Sequence, residues 1–235
     1  MSDTTAVNQE YFNNLAPEYD RQFPRIVGQL EEEVKARANI LGARAGGRLL
    51  DYACGTGLLS RALGPYLGQC IGIDISESMV EQYNVKAKSD GLTPEQRAAY
   101  VGNLVSADDA SPAAFASPRF FDFDLAGVGM GFHHMDDCDL AAKRLVERLR
   151  PGGVLFVVDF ASHAPMEGHA ASSSVRHHGF TKGRMQEIFE GAGAGGNFQF
   201  DVLGEEIIFE NAHGDGKHMT RRAFFARGER GGVSA

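Results

Sequence analysis

An α/β fold is predicted, built on a doubly wound sheet of about seven strands, mostly parallel, with an antiparallel strand near the C-terminus and a helical segment ahead of the sheet. Three observations predict it. From Arg48 onward, short apolar runs alternate with amphipathic stretches, the pattern of βαβ units around a parallel sheet. The first apolar run passes through a glycine loop directly into a helical pattern. Near the end, two extended runs, Asn197–Glu210 and Met219–Arg227, follow each other without a long helix between them, as an antiparallel pair does.

Taken in order, Asn8 to about Leu41 reads as helices. Ile26, Val27, Leu30, Val34 and Leu41 recur at helical spacing, with Glu31, Glu32, Glu33 and Lys35 among them. Strands are predicted at Arg48–Ala53, Gln69–Asp74, Ala98–Val101, Phe121–Ala126 and Gly153–Phe160. Helices are predicted at Leu58–Leu67, Glu77–Lys88 and Asp137–Leu149, each followed by Gly or Pro as a stop signal. After Phe160 a polar segment rich in His, Ser and Gly runs to Gly179, then a helix near Lys182–Glu190 leads to the final pair. The glycine-rich tail after Arg227 is expected to fray. The whole chain reads as one domain: a helical lid over 1–45, a core over 46–160, a substrate-lid segment over 161–180 and a closing helix and strand pair over 181–228.

Composition narrows the function classes. The chain has 235 residues, 43% of them hydrophobic, enough to bury a sizeable core. Its formal charge of -8 leaves no overall basic surface for a phosphate backbone or an anionic membrane. No start resembles a signal peptide and no apolar run is long enough to span a bilayer, so a soluble cytoplasmic protein, monomer or homodimer, is expected. Cys54, Cys70 and Cys138 are an odd number without CxxC spacing, which argues against a disulfide framework and a cysteine-rich zinc site.

The strongest local signal is Leu49-Leu50-Asp51-Tyr52-Ala53-Cys54-Gly55-Thr56-Gly57. At the carboxyl end of a first parallel strand, such a loop lies at the switch point of an open α/β sheet, where its glycines let a ligand approach the backbone. The second strand ends in Ile71-Gly72-Ile73-Asp74, and a carboxylate there can accept both hydroxyls of a ribose. Against a dinucleotide, the third small position of GxGxxG/A is held by Ser60. Asp51 would repel a pyrophosphate, yet it could help orient an ammonium group.

These residues resemble class I S-adenosylmethionine (SAM)-dependent methyltransferases. The glycine run is similar to their motif I, Gly72-Ile73-Asp74-Ile75-Ser76 to motif II, and Phe121-Asp122 to His133-His134 to motif IV. Leu149-Arg150-Pro151-Gly152-Gly153 resembles the segment before their fifth strand. Tyr11-Phe12 through Ala16-Pro17-Glu18-Tyr19-Asp20 is similar to the opening helix of the UbiE/Coq5-like small-molecule methyltransferases. The resemblance implies a Rossmann-like sheet and places Asp51, Gly55 and Gly57 around the methionine part of SAM, Asp74 on the ribose and Ile75 on the adenine. Asn103 would present an amide oxygen where many relatives have an acid, Tyr19 would be a lid contact and Gly127 would line the wall under the sulfonium. Ala53, Met79 and Leu104 complete the implied cofactor set, and S-adenosylhomocysteine is the implied product. A small-molecule acceptor of the kind found in secondary metabolism, a quinone-like or polyketide carbon or oxygen with nitrogen and sulfur also open, follows from the resemblance alone.

Methyl transfer from a sulfonium needs alignment and exclusion of water more than a covalent residue or a metal. A phenol or acidic carbon also benefits from a general base, and His133 and His134 are the candidates, with packing or helix entry beside a capping Asp136 as the alternative. His163, His169, His177 and His178 read as a substrate lid, since their spacing is not that of a helix-borne zinc site. No Asn/Asp-Pro-Pro-Tyr motif follows the fourth strand, where the chain reads Asp124-Leu125-Ala126-Gly127-Val128-Gly129. Two rival readings are an NAD(P)-dependent oxidoreductase, which lacks its Tyr-xxx-Lys pair here, and a non-catalytic SAM-binding module.

Overall fold

The computed structural model describes residues 3–106, 108–109, 111–164, 174–209 and 219–232; His169 and Glu210 lie outside them. Four helices open the chain: α1 (Asp3–Leu15), α2 (Tyr19–Gln22), α3 (Pro24–Ala36) and α4 (Ala38–Leu41). There follow β1 (Arg48–Tyr52), α5 (Leu58–Leu63), β2 (Gln69–Asp74), α6 (Glu77–Ser89), β3 (Arg97–Val101), β4 (Phe123–Gly129), α7 (Cys138–Arg148) and β5 (Leu149–Phe160). The chain ends in α8 (Lys182–Gly191), β6 (Gly196–Phe209) and β7 (Met219–Glu229). They form one mixed sheet in the order β3-β2-β1-β4-β5-β7-β6, with β7 antiparallel to both its neighbours. The chain crosses from β3 back to β4 beside β1, so the ligand-binding crevice of such a sheet falls at the carboxyl ends of β1 and β4.

Both faces of the sheet are covered, which is why β1 is apolar at consecutive positions instead of alternating. Leu49 packs with Leu30, Val34 and Leu63 on one face, and Leu50 with Ile71, Val128 and Leu145 on the other, all of them buried. Two element ends differ from the sequence expectation. Helix α5 stops at Leu63, and Gly64–Tyr66 tightens into a 3-10 turn, because Pro65 has no N–H to continue the ladder. Strand β4 starts at Phe123, since Asp122 adopts φ 58° and cannot be extended, and it runs on to Gly129.

That shift decides where Gly127 lies. It sits inside β4, where an added Cβ would meet Phe156 Cζ at 2.3 Å and Leu59 Cδ1 at 2.8 Å. Both neighbours are buried, so Gly127→Ala is expected to cost roughly 2 kcal/mol through overpacking. A lowered denaturant midpoint at unchanged slope would show it, and an unchanged midpoint would refute it.

The two last strands outrun the rest of the sheet. Pairing of β5 with β7 ends at Phe160↔Ala223, whereas β6 and β7 stay paired out to Phe209↔Met219. Met219 and Arg221 therefore lie beyond the carboxyl edge of β5, on a wall that rises beside the crevice.

Candidate active site

The glycine loop turns tightly at the end of β1. Ala53, Gly55 and Gly57 have φ of 52°, 50° and 98°, a region that L side chains rarely occupy. At Gly57, the residue that starts α5, a Cβ would also come within 3.0 Å of the Tyr83 ring. Asp74, at the end of β2, accepts from Gly55 N–H at 2.8 Å and from Ser76 N–H at 2.9 Å. Burial pushes its pKa up, against the N–H groups that favour its charge. Motif I and motif II are thus joined by one carboxylate, which retains acceptor capacity toward the crevice.

Two adjoining cavities open here. The first, of about 420 Å³, is lined by Tyr19, Ala53, Gly55, Asp74, Ile75, Met79 and Asn103 from the expected cofactor set. Asp51, Gly57, Leu104 and Gly127 are not on its surface. Asp51 shares the pleat face of Leu49 and points to α5, where it accepts from Ser60 N–H at 3.0 Å and Ser60 Oγ–H at 2.7 Å. Tyr83 O–H donates in turn to Ser60 Oγ at 2.7 Å. Burial raises the Asp51 carboxyl to about 7 despite the Ser60 hydrogen bonds. Leu104 is buried in the hydrophobic core and donates its N–H to Tyr52 Oη at 3.3 Å.

Asn103 is on the cavity wall, but its amide oxygen is already engaged. It accepts from Tyr52 O–H at 3.1 Å and Val105 N–H at 2.9 Å, so the group left for a ligand is the amide N–H, a donor. The acid that sequence reasoning missed is Asp108, on the same wall with Ser106; it lies further along the loop after β3 than the position inspected. Among the described residues, the charged ones lining this cavity are Asp74, Asp108, Asp136 and Asp137, with no Lys or Arg.

The second cavity, of about 170 Å³, shares Phe12, Tyr19, Val27, Leu58, Met130 and His134 with the first. His133 lines only the second. Its Nδ1 lies 2.7 Å from Asp159 Oδ1, and its backbone N–H donates to Asp159 Oδ2 at 3.0 Å. Asp159 is wholly buried; burial opposes its ionisation, but the facing His133 and three hydrogen bonds outweigh that and hold it below the usual carboxylate range. The signal in the sequence was a single acid at the end of the apolar run Val154-Leu155-Phe156-Val157-Val158.

His134 differs from its neighbour. Its Nδ1 donates to Ser174 O at 2.8 Å, and burial, then the nearby His133, drive its pKa down to about 3. It is a neutral imidazole at the junction of the two cavities. The helix-entry cap expected of Asp136 belongs to Asp137, which accepts from Leu140 N–H at 2.8 Å; Asp136 pairs with Arg176 at 3.1 Å. From the histidine-rich segment, His163, His177 and His178 line the second cavity. Arg176 and His177 N–H groups donate to His133 O at 2.9 and 3.1 Å, which clamps this segment over the dyad.

Helix α1 closes the other side. Asn8 Nδ2 donates to His134 O and Gln9 Nε2 to Ile75 O, each at 3.0 Å. Asn13 Oδ1 accepts from Ser76 Oγ–H at 2.7 Å, and Thr56 Oγ1 donates to Asp20 Oδ1 at 2.6 Å. The opening helices are therefore held directly on the glycine loop and the loop after β2.

Residues 19–194 match the family model described as a methyltransferase domain. The chain belongs to that methyltransferase domain family. An uncharacterized methyltransferase of Schizosaccharomyces pombe is 32% identical over 183 residues, covering 75% of this methyltransferase chain and 62% of the relative. A demethylmenaquinone methyltransferase of Staphylococcus aureus is 29% identical over 168 residues, covering 68% and 64%. The chain thus spans a little under two thirds of the length of these relatives. In fold, the methyltransferase is similar to the YcgJ protein of Bacillus subtilis, with a TM-score of 0.63 at 19% identity over 85% of this chain and 98% of that one.

Proposed function

We propose that this chain transfers a methyl group from SAM to a small-molecule acceptor, with the first cavity as the SAM site and the second as the acceptor site. One observation carries the reading: a cavity lined, among the described residues, by four carboxylates and no Lys or Arg opens, through His134, Tyr19 and Met130, into a smaller, mostly apolar one lined by His133, which is backed by the buried Asp159. SAM carries both a sulfonium and an ammonium, and the acid-lined wall suits a cation as it would not suit a pyrophosphate. The adjoining acceptor cavity favours catalysis over a purely SAM-binding module.

When bound, SAM supplies a methyl group on an already activated leaving group. The chain's own part is positioning and proton handling. Asp74 would accept the ribose hydroxyls, Asn103 would donate its amide N–H to the adenine, and Ile75 and Met79 would pack against it. The opening helices exclude water. With Nδ1–H held by Asp159, His133 presents Nε2 as the base that takes the acceptor's proton, and Asp159 stabilises the imidazolium that results. His134 stays neutral beside it, and Tyr19, raised to about 12 by burial and then by Asp20, stays a protonated phenol.

Calorimetry with SAM, S-adenosylhomocysteine and NADH tests the cofactor assignment. Both SAM ligands are expected to bind and NADH not to. Asp74→Ala is expected to weaken SAM about 100-fold, the loss of two hydrogen bonds to a charged acceptor. Binding of NADH without SAM, or an unaltered SAM affinity in the variant, would refute it.

A further inference from the structure

The acceptor's chemical class can be read from the second cavity. Its described lining includes no carboxylate, although the chain as a whole carries a net charge of -8. Five histidines line it, and one permanent cation, Arg221. The remaining lining is mostly apolar, with the rings of Phe12, Phe23, Phe160 and Phe209 among it. Among the described residues the two cavities therefore differ in charge: four carboxylates and no Lys or Arg line the first, Arg221 and no carboxylate the second.

Arg221 holds its place through the sheet. It lies on β7 two residues beyond Ala223, the partner of the last β5 residue Phe160, so it stands on the wall that rises past the carboxyl edge. Arg222, its neighbour in sequence, is exposed, whereas Arg221 is half-buried and turned to the cavity. Its Nη1 donates to Thr220 O at 3.1 Å, and among the described residues no carboxylate pairs with it. Burial pushes its guanidinium below the ordinary value without displacing it from the charged state. Beside it, burial and then the Arg221 charge depress His163, which donates Nδ1–H to Ala164 O at 2.8 Å. His163 joins Arg221 to the rest of the chamber through ring contacts with Phe160 and His178 at 6.0 and 5.9 Å between centroids.

We infer that the acceptor is a small aromatic hydroxy acid, its ring among the phenylalanines, its hydroxyl at the His133–Asp159 dyad and its carboxylate on Arg221. The inference rests on the transferase reading above. A half-buried guanidinium that no carboxylate pairs among the described residues is well placed to take a ligand anion, and a carboxylate matches its planar fork. A phenolic hydroxyl has the proton that a histidine base can take, whereas an aliphatic alcohol is far less acidic. The reaction balances on these groups alone. The phenol oxygen forms the new C–O bond as the sulfonium C–S bond breaks, the phenol proton goes to His133 Nε2 and then to water, and S-adenosylhomocysteine leaves with the former bonding pair. The carboxylate is not consumed.

The test compares matched pairs, hydroxybenzoic and hydroxycinnamic acids against their methyl esters, by calorimetry on the full chain loaded with S-adenosylhomocysteine. At least tenfold tighter binding of the acid is expected, falling to parity in Arg221→Gln and kept in Arg221→Lys, with melting curves of both variants matching the unaltered protein. Equal or tighter binding of the esters by the unaltered chain overturns the inference without any variant being needed. So does an acid preference that survives Arg221→Gln, or the binding of neither compound. Methyl transfer from labelled SAM, measured on the same pairs, separates the two claims. Transfer without acid preference sinks this inference alone; Arg221-dependent acid binding without transfer supports the ligand class and counts against the transferase reading.

Discussion

His133→Gln is expected to lower kcat by about 10³ while leaving affinity for S-adenosylhomocysteine unchanged. The magnitude is that of a positioned general base, and the geometry singles out His133 over its neighbour. His133 Nδ1 is held at 2.7 Å by a buried carboxylate, which fixes the tautomer and leaves Nε2 as the acceptor. His134, held near a pKa of 3 by burial, takes up no proton at neutral pH, so His134→Ala should cost rate only through positioning, less than about tenfold. Asp159→Asn is the sharper probe. It preserves shape, but an amide cannot stabilise the imidazolium and can turn the ring to the other tautomer, so a loss of about 10² in kcat at nearly constant KM is expected. Single-turnover rates at saturating acceptor decide the matter. Rates within threefold of the parent for both His133→Gln and Asp159→Asn would remove the dyad from the mechanism.

The second large effect is on stability. Asp51 is buried, and desolvation raises its carboxyl to about 7 from an ordinary 3.8. A raised carboxyl pKa means that the folded chain holds a proton which the unfolded chain has released. The contribution is therefore complete below about pH 4 and is lost as pH rises to about 7, where the buried charge must be accommodated. The difference corresponds to roughly 4 kcal/mol at pH 8, taking about 1.4 kcal/mol per unit. Asp51→Asn keeps an acceptor for Ser60 N–H and Oγ–H without that penalty. Its Tm is expected to match the parent near pH 4 and to exceed it by about 10 °C at pH 8. Parallel Tm profiles across that range would refute the assignment.

Local patterns carried much of this molecule. The glycine run before α5 and the acid closing β2 were legible because positive φ and strand ends depend on a few consecutive residues. The adjacent histidines after β4 were visible for the same reason, as residue types on a predicted rim. Their different fates were not. His133 meets Asp159 only because β4 and β5 lie side by side in register, Gly129 opposite Val158, and His134 is made neutral by the burial that Ser174 and α1 provide.

By itself, then, the sequence determined the order of the elements, the tight glycine loop after β1 and the carboxylate beside it. Tertiary structure alone decided which side chains reach the cavities. Asp51 sits on the α5 face of β1, Gly127 lies two residues inside a strand that continues to Gly129, and the amide oxygen of Asn103 is spent on Tyr52 and Val105. Arg221 reaches the second cavity only because β7 runs past the end of β5. The physical reason is common to all of these: side-chain direction in a sheet alternates with each residue, and a shift of one strand end or one partner's register redirects every group that follows.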